Sequence, residues 1–246
     1  MTTTTRPKAV VLGVGPERGL GGALCRRFAR EGHHVFIAGR TQEKVESLEE
    51  TLTKEGYSVT AVACNATRES DIIQLFDVVS SVGAGPLNLA VYNVGNSRPG
   101  TIREMEARYF EESWKLLCFG AFLFGRECTR RILPGGGTLI FTGASASLRG
   151  KANFGAFNSG KAAQRTLAQA MAKEYGKEGL HVGHVIIDGG IAGDKWFSRL
   201  ENEPQGGDAN RFISLDALTD AYWNLYKQDR SGWSFEVDLR TAIEDW

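Results

Sequence analysis

At 246 residues, 42% of them hydrophobic, the chain carries enough apolar material for one large core. Its 29 Lys and Arg offset 29 Asp and Glu, and this zero net charge argues against nucleic acid or an anionic membrane surface as the partner. No apolar run reaches the ~20 residues of a membrane-spanning helix. The start, MTTTTRPK, lacks the apolar region of a signal peptide. The expectation is a cytoplasmic protein with a flexible tail over residues 1–7 and one domain over residues 8–246.

Residues 9–12 form a short apolar run containing the β-branched Val10 and Val11, as a buried strand requires. A glycine-rich turn follows, with Gly13, Gly15, Gly19, Gly21 and Gly22. Ala23, Leu24, Phe28 and Ala29 then recur at helical spacing. Residues 34–38 predict a second strand, and 43–54 a charged helix with a Val45, Leu48, Leu52 stripe. Residues 58–63 predict a third strand, and Ile72, Leu75, Phe76 and Val79 a helix. Residues 87–91 predict the fourth strand. One long helical region then carries Trp114, Leu117, Phe122 and Phe124. Strands over 138–141 and 181–187 flank a long helix over 156–175, and a helix over 216–226 and a strand over 235–239 close the chain. Strands that are apolar throughout, alternating with helices, predict a Rossmann-type doubly wound α/β fold, a parallel sheet of about seven strands with helices on both faces.

Ligands of such sheets bind at the carboxyl ends of the strands. Chemistry-bearing residues fall at six successive ends: the glycine loop after the first strand, Arg40 and Thr41 after the second, and Asn65 and Ala66 after the third. Asn93 and Gly95 follow the fourth, Ser145 the fifth and Asp188 the sixth. Strand, glycine turn and helix N-terminus suit a phosphate, because glycines let the backbone approach and the free N–H groups donate. The spacing Gly15-x-x-x-Gly19-Leu20-Gly21 differs from the GxGxxG dinucleotide pattern. An acid at the end of the second strand would bind a ribose hydroxyl. Arg40 stands there instead, with Arg18 in the glycine loop able to approach, and two guanidiniums favour a 2′-phosphate and hence NADP(H). The four cysteines lack paired spacing and are expected to be free thiols, and no metal site is expected: His181 and His184 fall on opposite faces of a strand.

Over nearly its full length the chain resembles the short-chain dehydrogenase/reductase family. The resemblance rests on Gly15-x-x-x-Gly19-Leu20-Gly21, on Asn93-Val94-Gly95 in place of Asn-Ala-Gly, and on Phe157-x-x-x-Lys161 in place of Tyr-x-x-x-Lys. It implies a bound nicotinamide nucleotide and a homodimer or homotetramer. It also implies that Lys161 binds the nicotinamide ribose. The family's catalytic tyrosine projects onto Phe157, its serine onto Ala144 beside Ser145, and its helix asparagine onto Leu117.

Hydride delivery to a ketone develops an alkoxide, which needs a proton or an oxyanion partner; Phe157 offers neither. Ser145, Asp188 or a water held by Lys161 are the candidate substitutes, with Tyr92 a weaker one. An iminium substrate would need no proton. The sequence therefore predicts an NADPH-dependent reductase of a small apolar carbonyl or imine compound with an atypical active site, Ser145 touching the substrate. The alternative is an inactive NADP-binding regulatory or partner subunit. Trp196, Phe197 and Leu200 suggest a hydrophobic lid over a small-molecule site.

Overall fold

A computed structural model describes residues 5–83, 85–133, 135–194 and 209–244. In chain order its first half runs β1 (Lys8–Leu12), α1 (Leu20–Arg30), β2 (His34–Gly39), α2 (Gln42–Lys54), β3 (Val59–Ala63), α3 (Glu69–Ser81) and β4 (Leu87–Tyr92). Next come α4 (Ala107–Trp114), a π-helical turn (Lys115–Phe119), α5 (Gly120–Ile132), β5 (Gly137–Thr142), α6 (Gly155–Tyr175) and β6 (Leu180–Asp188). Two short strands, β7 (Gly190–Ile191) and β8 (Phe212–Ile213), precede α7 (Leu215–Lys227) and β9 (Glu236–Arg240).

Seven strands make one parallel sheet in the order β3-β2-β1-β4-β5-β6-β9, the predicted Rossmann-type architecture. Every residue of β1 and of β6 is buried. Val10 and Leu12 enter one apolar layer with α3, α5 and α6, while Ala9 and Val11 enter the other with α1, α2 and α7. Burial on both faces explains the unbroken apolar runs, because successive strand residues point to opposite sides and both sides are covered by helices. The edge strand β3 is only partly buried.

Chain order reverses beside β1, which pairs with β2 on one side and β4 on the other. The crevice beyond the carboxyl ends of these strands is where a ligand fits this topology.

Two features depart from the sequence-based expectation. The single long helix is divided by the π turn, and a parallel β7–β8 pair forms beside the main sheet. Trp196, Phe197 and Leu200 lie outside the described residues. No helix among the described residues is long and apolar enough to cross a membrane.

Candidate cofactor and active site

The loop between β1 and α1 is shaped by close approach. Gly13 has φ of 105°, and a Cβ there would stand 2.6 Å from the Asn93 carbonyl carbon. Only glycine lets the chain cross the end of β4 in that conformation. Gly15 differs: a Cβ there would meet nothing within 4 Å, so its side faces open space. The helix it leads to begins at Gly19 with no side-chain cap and no acidic residue in its first turn. Unengaged N–H groups, the positive dipole end and an open glycine flank fit a nucleotide diphosphate.

Arg40 and Thr41 lie exposed between β2 and α2. Arg18 meets the loop after β7. Its backbone carbonyl accepts from the Asp194 N–H at 2.8 Å, and its Nε lies 3.7 Å from Asp194 Oδ1. Beyond β3, the side-chain oxygen of Asn65 accepts from both the backbone N–H and the hydroxyl of Thr67, at 3.1 and 2.9 Å, so Asn65 braces its own turn and the buried Ala66 within it.

Asn93 ties the glycine loop to the sheet. Its Nδ2 donates to Gly13 O at 3.1 Å, and its Oδ1 accepts from the Thr142 hydroxyl at 3.0 Å. With the single Thr142 proton so committed, the Tyr222 hydroxyl donates to Thr142 Oγ1 at 2.7 Å. This buried chain joins α7, β5, β4 and the loop, while Gly95 lies exposed two residues beyond Asn93.

Lys161 is 3% exposed. Its ammonium donates to Thr142 O at 2.6 Å and to Gln164 Oε1 at 3.1 Å, and burial holds its pKa down to about 7. Two of its three N–H groups are thus engaged. Phe157, one turn earlier on α6, is half-buried. Ser145 opens a 3-10 turn whose carbonyl accepts from Leu148 and Arg149; its hydroxyl is half-buried and takes no protein partner among the described residues.

Two of the candidate proton donors are engaged with protein partners. Asp188 is buried and accepts from Arg149 Nη2 at 3.1 and 3.3 Å, with Arg240 Nη1 3.7 Å away. A carboxylate between two guanidiniums is an acceptor and an anchor for the loop after β5. Tyr92 is fully buried, donates to Leu116 O at 2.6 Å, and burial pushes its pKa well up, so it packs rather than reacts.

Behind the site, Nδ1 of buried His184 donates to Glu236 Oε2 at 2.9 Å, and Arg165 holds the same carboxylate through two hydrogen bonds. A Cβ at position 143 would stand 2.3 Å from His184 Nε2, so Gly143 makes room for the ring. Desolvation lowers the His184 pKa from 6.5 to about 4. Between those values the unfolded chain binds the extra proton, so stability falls as pH drops through that window. His184→Asn, which keeps a donor to Glu236, should flatten the loss in urea melts run from pH 6.5 to 4; an unchanged slope would show that other groups carry it.

A glycine-lined helix N-terminus at the point where strand order reverses defines a Rossmann-type site. The short chain dehydrogenase family profile matches residues 9–196, and the chain belongs to that family. It is 32% identical to the crystal structure of a short-chain dehydrogenase from Rhodopseudomonas palustris, with a TM-score of 0.79 over 95% of this chain and 98% of that one. It is 29% identical over 202 residues to the uncharacterized oxidoreductase YuxG of Bacillus subtilis, covering 80% of this chain but only 29% of that protein's length. It is 27% identical over 201 residues, 76% of this chain and 74% of the other, to an NADPH-dependent aldehyde reductase-like protein of Arabidopsis thaliana.

Sequence reasoning passed over Gln164, Thr142 and Tyr222. Spacing could have found Gln164, three residues after Lys161 and hence on the same helix face. Nothing local marks Tyr222, which reaches Thr142 across 80 residues of chain.

Proposed function

We propose that the chain is an NADPH-dependent reductase of a small, fairly apolar carbonyl or imine compound, working without the family tyrosine, whose place Phe157 takes. The observation that carries this reading is the buried Lys161, seated at the end of β5 with one N–H uncommitted, together with the uncapped N-terminus of α1 after β1. The name of the Arabidopsis relative supports the reduced, phosphorylated cofactor and an aldehyde or related substrate.

In this reading Gly15, Arg18, Gly19, Leu20 and Gly21 surround the diphosphate, Arg40 and Thr41 receive the 2′-phosphate, and Asn65 and Ala66 border the adenine. Asn93 and Gly95 shape the wall beside the nicotinamide. The bound cofactor supplies a hydride. Lys161 holds the nicotinamide ribose, Ser145 donates to the substrate oxygen or nitrogen, and Phe157 excludes water from the reacting face. The one uncommitted Lys161 N–H makes that ribose contact, so the proton that completes the product comes through a water at the Ser145 hydroxyl. The exposed Phe110, Trp114 and Phe122 recur at four- and eight-residue spacing along α4 and α5 and support assembly as a homodimer or homotetramer, which in this reading is cytoplasmic.

The test is titration of intrinsic fluorescence with NADPH and NADH, followed by a panel of aldehydes, ketones, imines and enones with NADPH oxidation read at 340 nm. Binding without turnover on any of them would sink the reductase reading. Arg40→Asp should shift cofactor preference toward NADH by more than about tenfold, because a carboxylate repels the 2′-phosphate and accepts from a ribose hydroxyl. Equal affinities for the two cofactors before substitution would remove that expectation.

A further inference from the structure

A π turn adds one residue to a helical turn and disturbs the regular ladder of carbonyl acceptors. Here two successive carbonyls of the Lys115–Phe119 turn are taken by side chains from elsewhere. Leu116 O accepts from the Tyr92 hydroxyl at 2.6 Å and Leu117 O accepts from Gln164 Nε2 at 3.1 Å. Gln164 is fully buried, and its other carboxamide atom, Oε1, accepts from Lys161 Nζ at 3.1 Å. One uncharged group therefore spans the distance between an ammonium and a helix carbonyl, both inside the protein. Left alone, each would require a water, since an unpaired buried polar group is costly.

We infer that Gln164 is a positioning residue for Lys161: its carboxamide joins the ammonium to the carbonyl offered by the π turn, fills the space of a bridging water, and presses the lysine against the end of β5. A water or a hydroxyl in that place would pass protons onward. A carboxamide does not titrate in this range, so the inner side of Lys161 is closed to proton transfer. Protons reach and leave the ammonium from the side that Thr142 and Gln164 leave open. The functional meaning of this closure rests on the proposed cofactor site; the placement of Lys161 does not.

Among the described residues, the charge of Lys161 acts on His184 of β6, and His184 and Arg165 of α6 both bind Glu236 of β9. Substitution at Gln164 leaves all three in place. Two near-isosteric variants separate positioning from packing: Gln164→Glu puts a carboxylate against the ammonium, and Gln164→Met keeps the bulk but offers no acceptor.

The experiment is a titration of the cofactor-free protein by NMR with lysine labelled at Cε, the Lys161 resonance being assigned from Lys161→Met. Gln164→Glu should raise the Lys161 midpoint by about one unit or more, and Gln164→Met should lower it, because one strengthens and the other removes a partner of the charged form. Midpoints within about 0.3 unit of the parent in both variants, or shifts of the same sign, would overturn the inference. If Gln164→Met fails to fold, the upward shift in Gln164→Glu decides alone. NADPH affinity, measured separately by fluorescence, should fall about fivefold or more in Gln164→Met at pH 8, as expected when the ribose-binding group is displaced. Opposed midpoint shifts with unchanged NADPH affinity would support the positioning and count against the cofactor role of Lys161.

Discussion

Phe157→Tyr is expected to raise NADPH-dependent reduction of a small aldehyde or ketone by ~10²-fold or more, the usual worth of a positioned general acid. The substitution adds one oxygen to a half-buried ring on the first turn of α6, so the frame needs little adjustment. Lys161, one helical turn later, carries its ammonium to the end of β5, and a cation near the new phenol would favour its ionised form and improve it as an acid. Turnover should rise with little change in KM, since the added group acts on developing charge rather than on ground-state binding. The measurement is kcat and KM for the parent and variant against the most responsive substrate. If NADPH binding is unchanged and turnover does not rise, Phe157 is not aimed at the reacting carbon. A substrate already charged, such as an iminium, should respond far less, because its reduction develops no alkoxide.

The second large effect is on stability. Lys161 has its pKa lowered from 10.5 to about 7 by burial. Above the lower value the folded protein releases a proton that the unfolded chain keeps, so the unfolded state binds more protons and stability rises with pH. From pH 7 to about 8.5 the gain should approach 1.5 kcal/mol, given ~1.36 kcal/mol per unit at full proton difference. Higher pH brings an opposing effect, because burial raises the pKa values of Cys25, Cys64 and Cys128 and only the unfolded chain ionises its thiols readily. Unfolded thiols are already partly ionised by about pH 8.5, so the lysine is read from the difference between the parent and Lys161→Met over about pH 7 to 8. Lys161→Met should remove the rise there, whatever it does to absolute stability, and denaturant melts at three pH values would show it. Parent and Lys161→Met curves of equal slope over this window would mean that the ammonium finds water in the folded state.

The glycine-loop geometry shows how local residues and distant packing divide the work. Gly13 and Gly15 look alike in the sequence, yet one is held by the backbone of Asn93, 80 positions away, and the other faces open space. The same division runs through the proposed active site. Ser145 and Lys161 stand out by their place after β5 and on α6, and the structure sets them at the carboxyl end of the sheet. Asp188 also stood out, but what surrounds it is decided by Arg149 and Arg240, which come from the loop after β5 and the last strand. Arg18 likewise meets Asp194, a residue far along the chain.

By itself the sequence determined the layered architecture. Strands buried on both faces must be apolar throughout, amphipathic helices must alternate with them, and both patterns are local and periodic. It also placed the polar residues at the strand ends, because a parallel sheet puts every carboxyl end on one side. The tertiary structure alone decided which of those groups keep an uncommitted donor and which are consumed as structural ties. Hydrogen-bond partners such as Tyr222 for Thr142, or Leu117 for Gln164, come from segments far apart in the chain, and no periodicity records them. The π turn belongs to the same class, since it is visible only where the side chains of Tyr92 and Gln164 take up its carbonyls.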